Sequence, residues 1–212
     1  MKKLFQLRRE YNSPILNFND LHPDPMIQFE NWFKNALEIE KHEPNAMALA
    51  TSGTDLKPSV RYILLKAYDT KGFIFFTNFE SRKSTQIGQN PFAAISFFWP
   101  LLQQQVRAEG EIIKLEDSLS DDYFNDRPQG SKIGAWASPQ SKPIPSREYL
   151  EKLKDEYEKK YSNFRIPRPK FWGGYKLVPT LIEFWQGRPD RLHDRFEYKL
   201  KDGVWKKERL AP

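Results

Sequence analysis

The middle third of the chain is a succession of short segments rich in apolar, β-branched and aromatic residues, and turn residues separate most of them. Short turns between such segments favour antiparallel neighbours, so we predict a β-meander or barrel over residues 46–115. Residues 81–89 are the exception and are predicted to form a short helix after the third strand. The predicted strands are 46–51, 59–68, 73–78, 92–99 and 106–115. The turn signals are Gly53-Thr54-Asp55, Thr70-Lys71-Gly72 and Asn90-Pro91.

Helices and further strands are predicted around this region. Asp24-Pro25 is typical of a helix start, and apolar residues follow at helical spacing until Pro44. Ser146 is a suitable N-cap for a later helix, and Asp202-Gly203 is a strong hairpin signal. The other predicted elements are helices at 117–125 and 146–161 and strands at 175–186, 192–200 and 204–210, within a C-terminal strand region 175–212.

The length of the chain, 212 residues, is enough for one substantial core, so we predict a single domain over 1–212 with a mainly β fold and flanking helices (α+β). Residues 1–20 are predicted to form an N-terminal arm. Leu4, Leu7 and Tyr11 indicate a short helix there, and a disordered basic tail is the alternative. Gly173-Gly174 is predicted to be a bend.

Composition excludes several classes of site. The chain has no cysteine and only three histidines, so we expect no disulfide, no thiol nucleophile and no metal. It has no apolar run of roughly 18 residues and no signal-peptide pattern, so we expect a cytoplasmic protein without a membrane span. Neither glycine-rich phosphate loop is present, and no serine stands in a G-x-S-x-G context. The net charge of +6 favours anionic partners, and nucleic acid, phosphorylated small molecules and an unremarkable basic surface all fit it.

Two cationic clusters lie in the β-rich region. Ser81-Arg82-Lys83-Ser84 comes where a strand ends and a helix begins, and the free N–H groups there attract an anion such as phosphate. A capped helix with solvated cations explains the same pattern equally well. Arg61 and Lys66 bound an apolar strand, and strict alternation places them on opposite faces unless a bulge intervenes. Snorkelling of both side chains at the strand ends is the alternative.

A third cluster occupies residues 191–195, after a turn predicted at 187–190. On a strand, Arg191, His193 and Arg195 share one face. Three polar or cationic groups in a row indicate a face that meets a ligand or solvent. The pattern alone does not distinguish these two cases.

A collinear set of short motifs covers nearly the whole chain. They are RYILLK (61–66), FTN (76–78), SRK (81–83), QVR (105–107), YF (123–124), RP (127–128), SKIGAW (131–136), QS (140–141), FWGG (171–174), EFWQG (183–187), RLHDR (191–195) and RLAP (209–212). This set resembles the pyridoxamine phosphate oxidase family. The resemblance implies a split β-barrel homodimer that binds flavin mononucleotide (FMN) at the subunit interface. It also implies that the chain oxidises pyridoxamine phosphate or pyridoxine phosphate with O₂, giving pyridoxal phosphate and hydrogen peroxide.

The same resemblance implies a set of site residues. It implies that Arg191 and His193 act catalytically, mostly by orienting the pyridine ring, and a general-base role for His193 is a hypothesis. The implied cofactor-binding residues are Arg61, Tyr62, Ile63, Leu64, Leu65, Lys66, Phe76, Thr77, Arg82, Lys83, Gln105, Gln140, Ser141, Trp185 and Arg195. The implied substrate-binding residues are Arg8, Arg9, Glu10, Tyr11, Lys66, Tyr123, Arg127, Ser131, Arg191, Leu192 and His193.

Two details of the resemblance concern single segments. Arg8–Tyr11 resembles an N-terminal segment that closes over the substrate in the family. Phe76 departs from the pattern, because several relatives carry tyrosine there, and the departure removes any hydroxyl contact to the cofactor.

Two other functions compete with this interpretation. A flavin carrier or reductase of the same fold would need no second phosphate pocket. The presence of five residues argues against it, namely Tyr123, Arg127, Ser131, Arg191 and His193. A nucleic-acid-binding β-barrel would use the basic charge and the six tryptophans as a binding surface. Most aromatic residues lie in apolar strand segments, which favours burial over base stacking. The resemblance therefore predicts phosphorylated vitamin B6 compounds and O₂, rather than nucleic acid, as partners.

Overall fold

A computed structural model describes residues 4, 7 and 10–212 of the chain. In this part, five α-helices accompany nine β-strands, which confirms the mainly β fold with flanking helices. The helices are α1 (Pro25–Ile39), α2 (Arg82–Gln89), α3 (Asp117–Asp126), α4 (Gln129–Ala137) and α5 (Arg147–Lys160). The strands are β1 (Ala46–Ser52), β2 (Pro58–Leu64), β3 (Ala67–Asp69), β4 (Gly72–Asn78), β5 (Phe92–Trp99), β6 (Gln104–Lys114), β7 (Trp172–Gln186), β8 (Asp194–Lys201) and β9 (Val204–Leu210). Short 3₁₀ turns occupy Phe18–Asp20 and Pro189–Arg191.

All nine strands belong to one antiparallel sheet. The order is β2-β1-β5-β6-β7-β4-β3, and β8 pairs with both β7 and β9. Strand β7 is 15 residues long, and β6 runs along one of its edges. On the other edge, β4 pairs with the first residues of β7 and β8 pairs with the last. The two ends of β7 therefore belong to two different parts of the sheet.

Helix α1 closes the main hydrophobic core. Asp24 caps this helix by accepting a hydrogen bond from the backbone N of Met26 at 2.8 Å, and Pro25 occupies the first turn. Phe29 is fully buried, and its ring lies 4.8 Å from that of Phe73 and 5.3 Å from that of Phe97. The helix start predicted at Asp24-Pro25 is confirmed, and its apolar face covers the sheet.

A second, smaller hydrophobic cluster packs α3 and α4 on the first residue of β7. Its buried members are Phe124, Ile133, Ile166 and Trp172. Helix α5 begins at the predicted cap, because Ser146 accepts a hydrogen bond from the backbone N of Tyr149 at 3.2 Å. Helix α4 was not predicted, although it contains the whole SKIGAW motif.

Two strand predictions differ from the structure, and the hydrogen bonds of the backbone explain both differences. The predicted strand 59–68 is interrupted at Leu65-Lys66, because the Leu65 N–H pairs with Asn45 and the Lys66 N–H pairs with Ile74 on β4. The backbone changes its partner strand at this point. The predicted strand 192–200 begins only at Asp194, because the Leu192 N–H bonds to the Pro189 oxygen and closes the 3₁₀ turn Pro189–Arg191, in which Asp190 and Arg191 have left-handed φ angles of 55° and 64°.

Three smaller expectations have different outcomes. The bend predicted at Gly173-Gly174 is wrong, since both residues belong to β7. A Cβ at Gly174 would lie 2.6 Å from Leu115 and 2.8 Å from the Phe76 ring, so glycine is needed there for close packing. The predicted N-terminal helix falls largely outside the described residues, and residues 10–17 are not helical. Over the described residues, no helix has the length and apolar character needed to cross a membrane.

Candidate active site

A cavity of about 460 Å³ lies between β2, β4, the start of α2 and α4. Residues implied for the cofactor and residues implied for the substrate line the same cavity. They are Arg61, Tyr62, Ile63, Leu64, Lys66, Phe76, Thr77, Lys83, Arg127, Ser131 and Gln140. The fold therefore brings together motifs that are distant in sequence.

Lys83 is the most buried cation of this cavity. Only 9% of the residue is exposed, and its Nζ donates to Gln140 Oε1 at 2.9 Å. It also donates to Thr77 Oγ1 at 3.1 Å and to Ser81 Oγ at 3.3 Å. Burial, and then the nearby charge of Arg61, lowers the pKa of Lys83 to about 8. The three oxygens are neutral, so the charge is not compensated by these contacts, and an anion would stabilise it.

Arg61 and Lys66 line the same cavity, although simple alternation predicted opposite faces. The strand break between them takes the place of the bulge that the prediction allowed for. The guanidinium of Arg61 donates to Thr51 Oγ1 at 2.6 Å and to Ser59 Oγ at 2.5 Å. Burial, followed by the charge of Arg82, lowers the pKa of Arg61.

Arg127 provides a further cation. Its guanidinium lies 4.6 Å from the ring centre of Trp172, and its Nη2 donates to the backbone oxygen of Ser131 at 2.9 Å. Its Nε is buried and has no hydrogen-bond partner among the described residues. Burial lowers the pKa of this side chain. A buried donor without a partner is costly, and an anion in the cavity that Arg127 lines would stabilise the positive charge of this side chain.

Three aromatic rings form a wall beside this arginine. The rings of Phe76 and Tyr123 are stacked at 4.0 Å with an interplanar angle of 15°, and Phe76 is also stacked with Trp172 at 5.6 Å. Phe76, which stands where several relatives carry tyrosine, is therefore held in place by the stacking of its apolar ring.

A second group of predicted residues lies at the other end of β7. The Tyr11 ring packs edge-on against Trp185 at 5.5 Å and against His193 at 5.6 Å. Trp185 and His193 are 4.6 Å apart. Gly187 makes room for this arrangement, because a Cβ there would lie 2.8 Å from the Tyr11 ring. The described part of the N-terminal arm thus reaches His193.

The surroundings of His193 favour the neutral form of its ring. Its Nδ1 accepts a hydrogen bond from the backbone N–H of Arg188 at 3.1 Å. Burial, followed by the charges of Arg191 and Arg195, lowers the pKa of His193. A neutral ring whose Nδ1 accepts carries its proton on Nε2 and presents a donor there. The predicted shared strand face of Arg191, His193 and Arg195 is wrong, because Arg191 and His193 precede β8.

Three residues implied for the cofactor form a row across neighbouring strands. Gln105 on β6 lies opposite Trp185 on β7, which lies opposite Arg195 on β8. Arg195 Nε donates to Glu183 at 2.7 Å, and Arg107 Nε donates to the other oxygen of the same buried carboxylate at 2.6 Å. These ion pairs fix the position of Arg195 on the sheet.

Comparisons with known proteins agree with these features. The family model described as pyridoxamine 5'-phosphate oxidase matches residues 33–160. A pyridoxine/pyridoxamine 5'-phosphate oxidase from Cupriavidus taiwanensis is 51% identical over 213 residues, with 100% of both chains covered. The chain belongs to the pyridoxamine 5'-phosphate oxidase family. The family predicted from the motifs is thereby confirmed.

Solved structures extend the comparison to the fold. PhzG from Burkholderia lata, in complex with tetrahydrophenazine-1-carboxylic acid, superposes with a TM-score of 0.89 at 30% identity, covering 95% of this chain and 100% of that one. An FMN binding protein from Nostoc punctiforme, related to pyridoxamine 5'-phosphate oxidase, has a TM-score of 0.68 at 19% identity, covering 87% and 97%. The split-barrel fold class is confirmed, and so is FMN as the cofactor of the family.

A further family model concerns the C-terminal strands. The pyridoxine 5'-phosphate oxidase C-terminal dimerisation region matches residues 172–212, which include β7, β8 and β9. About 40 Å of extended strand separates Trp172, beside the cavity, from Trp185 in the second group. In this family, therefore, the strand that carries both groups belongs to a dimerisation region.

Not every residue implied by the motifs lies in the cavity or in the second group. Leu65 is buried in the core, Arg82 lines a neighbouring cavity, and Glu10, Ser141 and Leu192 are exposed. Arg8 and Arg9 lie outside the described residues.

Two residues that support the cations of the cavity were not predicted from the sequence. Trp172, which supports Arg127, was visible only as part of the FWGG motif. Ser59 stands two residues before Arg61 and so shares its strand face, which was a usable signal.

Proposed function

We propose that this chain is an FMN-dependent oxidase that converts pyridoxamine phosphate and pyridoxine phosphate to pyridoxal phosphate. Dioxygen is the oxidant and hydrogen peroxide is the second product, while the amine substrate also consumes water and releases ammonia. The observation that carries the proposal is a single cavity with two cationic groups. Lys83 and Arg61 form the first group, and Arg127, which lies over the Trp172 ring, forms the second. Two phosphates, one on the cofactor and one on the substrate, match these two groups.

The first group suits the phosphate of FMN. A phosphate monoester carries a charge of about −1.5 to −2 near pH 7, which compensates Lys83 and Arg61 together. Thr77 offers a hydroxyl beside Lys83, and the start of α2 adds its positive partial charge. In the proposal, Arg82, Gln140, Ser141 and the backbone of residues 61–66 provide the remaining contacts on this side.

The second group suits the phosphate of the substrate. Arg127 and Lys66 both line the cavity and supply the positive charge on this side. The hydroxyls of Tyr123 and Ser131 complete the proposed phosphate pocket. With its phosphate held here, the pyridine ring of the substrate is kept in one orientation within the cavity.

We further propose that a homodimer completes the site. Gln105, Trp185 and Arg195 form one row on the sheet, while the phosphate-binding residues lie at the other end of β7. The match of residues 172–212 to a dimerisation region supports the idea that a second copy brings its row to the cavity. Each cofactor would then contact both subunits.

FMN, when bound, supplies the hydride acceptor and passes the electrons on to O₂. His193 and Arg191 orient the substrate in this proposal. Because His193 Nδ1 already accepts from the Arg188 N–H, its Nε2–H can donate to the substrate ring but cannot take up a proton. The contacts thus support orientation by His193 over a general-base role. Tyr11, packed on His193, would exclude water from this side of the substrate.

A second oxidase function has one observation in its favour. PhzG, with a TM-score of 0.89, was solved with a tricyclic carboxylic acid, and a carboxylate also pairs with arginine. The nucleic-acid function has less support, because large aromatic side chains such as Phe29, Phe97 and Trp99 are fully buried in the core.

Anaerobic titration tests the proposed function. Purified protein loaded with FMN should lose the visible absorbance band of oxidised flavin when pyridoxamine phosphate is added without oxygen. Air should restore the band. Pyridoxamine without a phosphate should be far less effective. A flavin that is reduced by a tetrahydrophenazine carboxylate, and not by pyridoxamine phosphate, would contradict the proposal and favour the PhzG-like function.

A further inference from the structure

Gln86 lies behind the cavity, on the same helix as Lys83. Only 7% of this residue is exposed, which is unusual for a glutamine on a short surface helix. Its Oε1 is 2.7 Å from Thr51 Oγ1 on β1 and 2.7 Å from Ser59 Oγ on β2. One amide oxygen therefore binds two hydroxyls from two neighbouring strands.

The same two hydroxyls bind the guanidinium of Arg61. Nη1 of Arg61 donates to Thr51 Oγ1 at 2.6 Å, and Nη2 donates to Ser59 Oγ at 2.5 Å. A guanidinium only donates and an amide oxygen only accepts, so each hydroxyl gives its single hydrogen to Gln86 and turns its lone pairs to Arg61. The network has one consistent direction, and it ends at Gln86.

We propose that Gln86 is a positioning residue that holds Arg61 ready for the phosphate, and that it thereby sets the preference of this site for FMN over riboflavin. Riboflavin is the same flavin without its phosphate. The inference rests on the proposed function, because it assumes that Arg61 binds the FMN phosphate. Gln86 itself does not line the cavity described above and acts only through Thr51 and Ser59.

The charges around Arg61 explain why it needs to be held. Two other cations lie near Arg61. The charge of Arg82 lowers the pKa of Arg61, and the charge of Arg61 lowers the pKa of Lys83. Like charges repel the guanidinium towards solvent when no anion is bound. Without the acceptor on Gln86, the hydroxyls of Thr51 and Ser59 are free to rotate, and each can turn its hydrogen towards the guanidinium.

The test compares two flavins on two matched variants. Gln86→Leu removes the acceptor, and Gln89→Leu makes the same change at an exposed glutamine almost one turn further along α2. Apoprotein is titrated with FMN and with riboflavin, and binding is followed by the change in flavin fluorescence. We expect Gln86→Leu to weaken FMN binding by about tenfold, the usual effect of a lost hydrogen bond of about 1.4 kcal/mol. Riboflavin binding should change by less than about twofold, and Gln89→Leu should match the wild type with both flavins.

Equal losses for both flavins, or no loss for FMN, would overturn the inference and leave Gln86 a packing residue. Should Gln86→Leu fail to fold, Thr51→Val and Ser59→Ala each remove one of the two bridging hydroxyls, and the same selective loss of FMN binding is expected. The wild type distinguishes a failure of the proposed function from a failure of the role given to Gln86. If it does not prefer FMN to riboflavin, the phosphate site of the proposed function is wrong; if it does, and the variants keep that preference, only the role of Gln86 is wrong.

Discussion

The charge of Lys83 should make FMN binding depend on pH. Its pKa of about 8 means that about nine-tenths of the side chains are charged at pH 7 and about one-tenth at pH 9. The charge is lost as the pH rises through this pKa, since burial depresses the pKa of a base. FMN phosphate is almost fully ionised over this range, because its second pKa is about 6. If only the charged form binds well, FMN affinity should fall about tenfold between pH 7 and pH 9.

The variant Lys83→Met isolates this effect. Its FMN affinity at pH 7 should be lower by roughly 10- to 150-fold, the effect of a hydrogen bond to a charged group worth about 1.5–3 kcal/mol. Its affinity should then be nearly constant from pH 7 to pH 9, because the titrating group is absent. Riboflavin should show no such slope with either protein.

Fluorescence titration at pH 7, 8 and 9, at constant ionic strength, measures all of these affinities. Constant ionic strength matters because salt screens the attraction between the lysine and the phosphate. A wild-type affinity that does not change with pH, or an equal slope in Lys83→Met, would refute the assignment of Lys83 to the FMN phosphate.

Three further predictions concern the substrate side. Arg127→Met should raise the KM for pyridoxamine phosphate about 10- to 100-fold, because a charge-assisted contact to phosphate is lost, while FMN affinity stays the same. His193→Asn keeps a side-chain N–H donor, so kcat should fall by less than about tenfold and its pH profile should keep its shape. Gly187→Ala should raise KM more than it lowers kcat, because the added Cβ displaces the Tyr11 ring. Steady-state kinetics and FMN titrations measure all three.

Each of these predictions has its own contrary result. Arg127→Met would speak against a substrate phosphate pocket if KM for the phosphorylated and unphosphorylated amines rose equally. Loss of one limb of the pH profile in His193→Asn would restore the general-base hypothesis. An unchanged KM in Gly187→Ala would show that the contact with Tyr11 does not matter for substrate binding.

Local signals in the sequence predicted much of the fold. Asp24-Pro25 and Ser146 mark helix starts because a cap satisfies N–H groups within a few residues of itself. Asp202-Gly203 marks a hairpin because both residues take positive φ angles, 51° and 77°. Such signals are complete within a short stretch of chain.

The errors arose where distant segments decide the local structure. Lys66 leaves its strand because Ile74, on another strand, offers the next hydrogen-bond partner. Gly174 is not a bend because the side chains of Leu115 and Phe76 require the space of a missing Cβ. The left-handed φ of Arg191 is rare for a residue with a side chain, and no pattern of alternation predicts it.

The candidate site likewise has residues that local signals predicted and residues whose placement depends on distant segments. The start of α2 suggested an anion site at Lys83 from local rules alone. The row of Gln105, Trp185 and Arg195 depends on the register of three strands, which the motifs do not contain. Gln86 belongs to no motif that we recognised, and only its contacts with Thr51 and Ser59 reveal it.

Product analysis tests the central claim most directly. The FMN-loaded protein is given pyridoxamine phosphate in air, and pyridoxal phosphate, hydrogen peroxide, ammonia and consumed oxygen are each measured. The proposed function predicts all four in equal amounts, with the same yield of peroxide but no ammonia from pyridoxine phosphate. A protein that binds FMN and yet forms no pyridoxal phosphate from either substrate would contradict it.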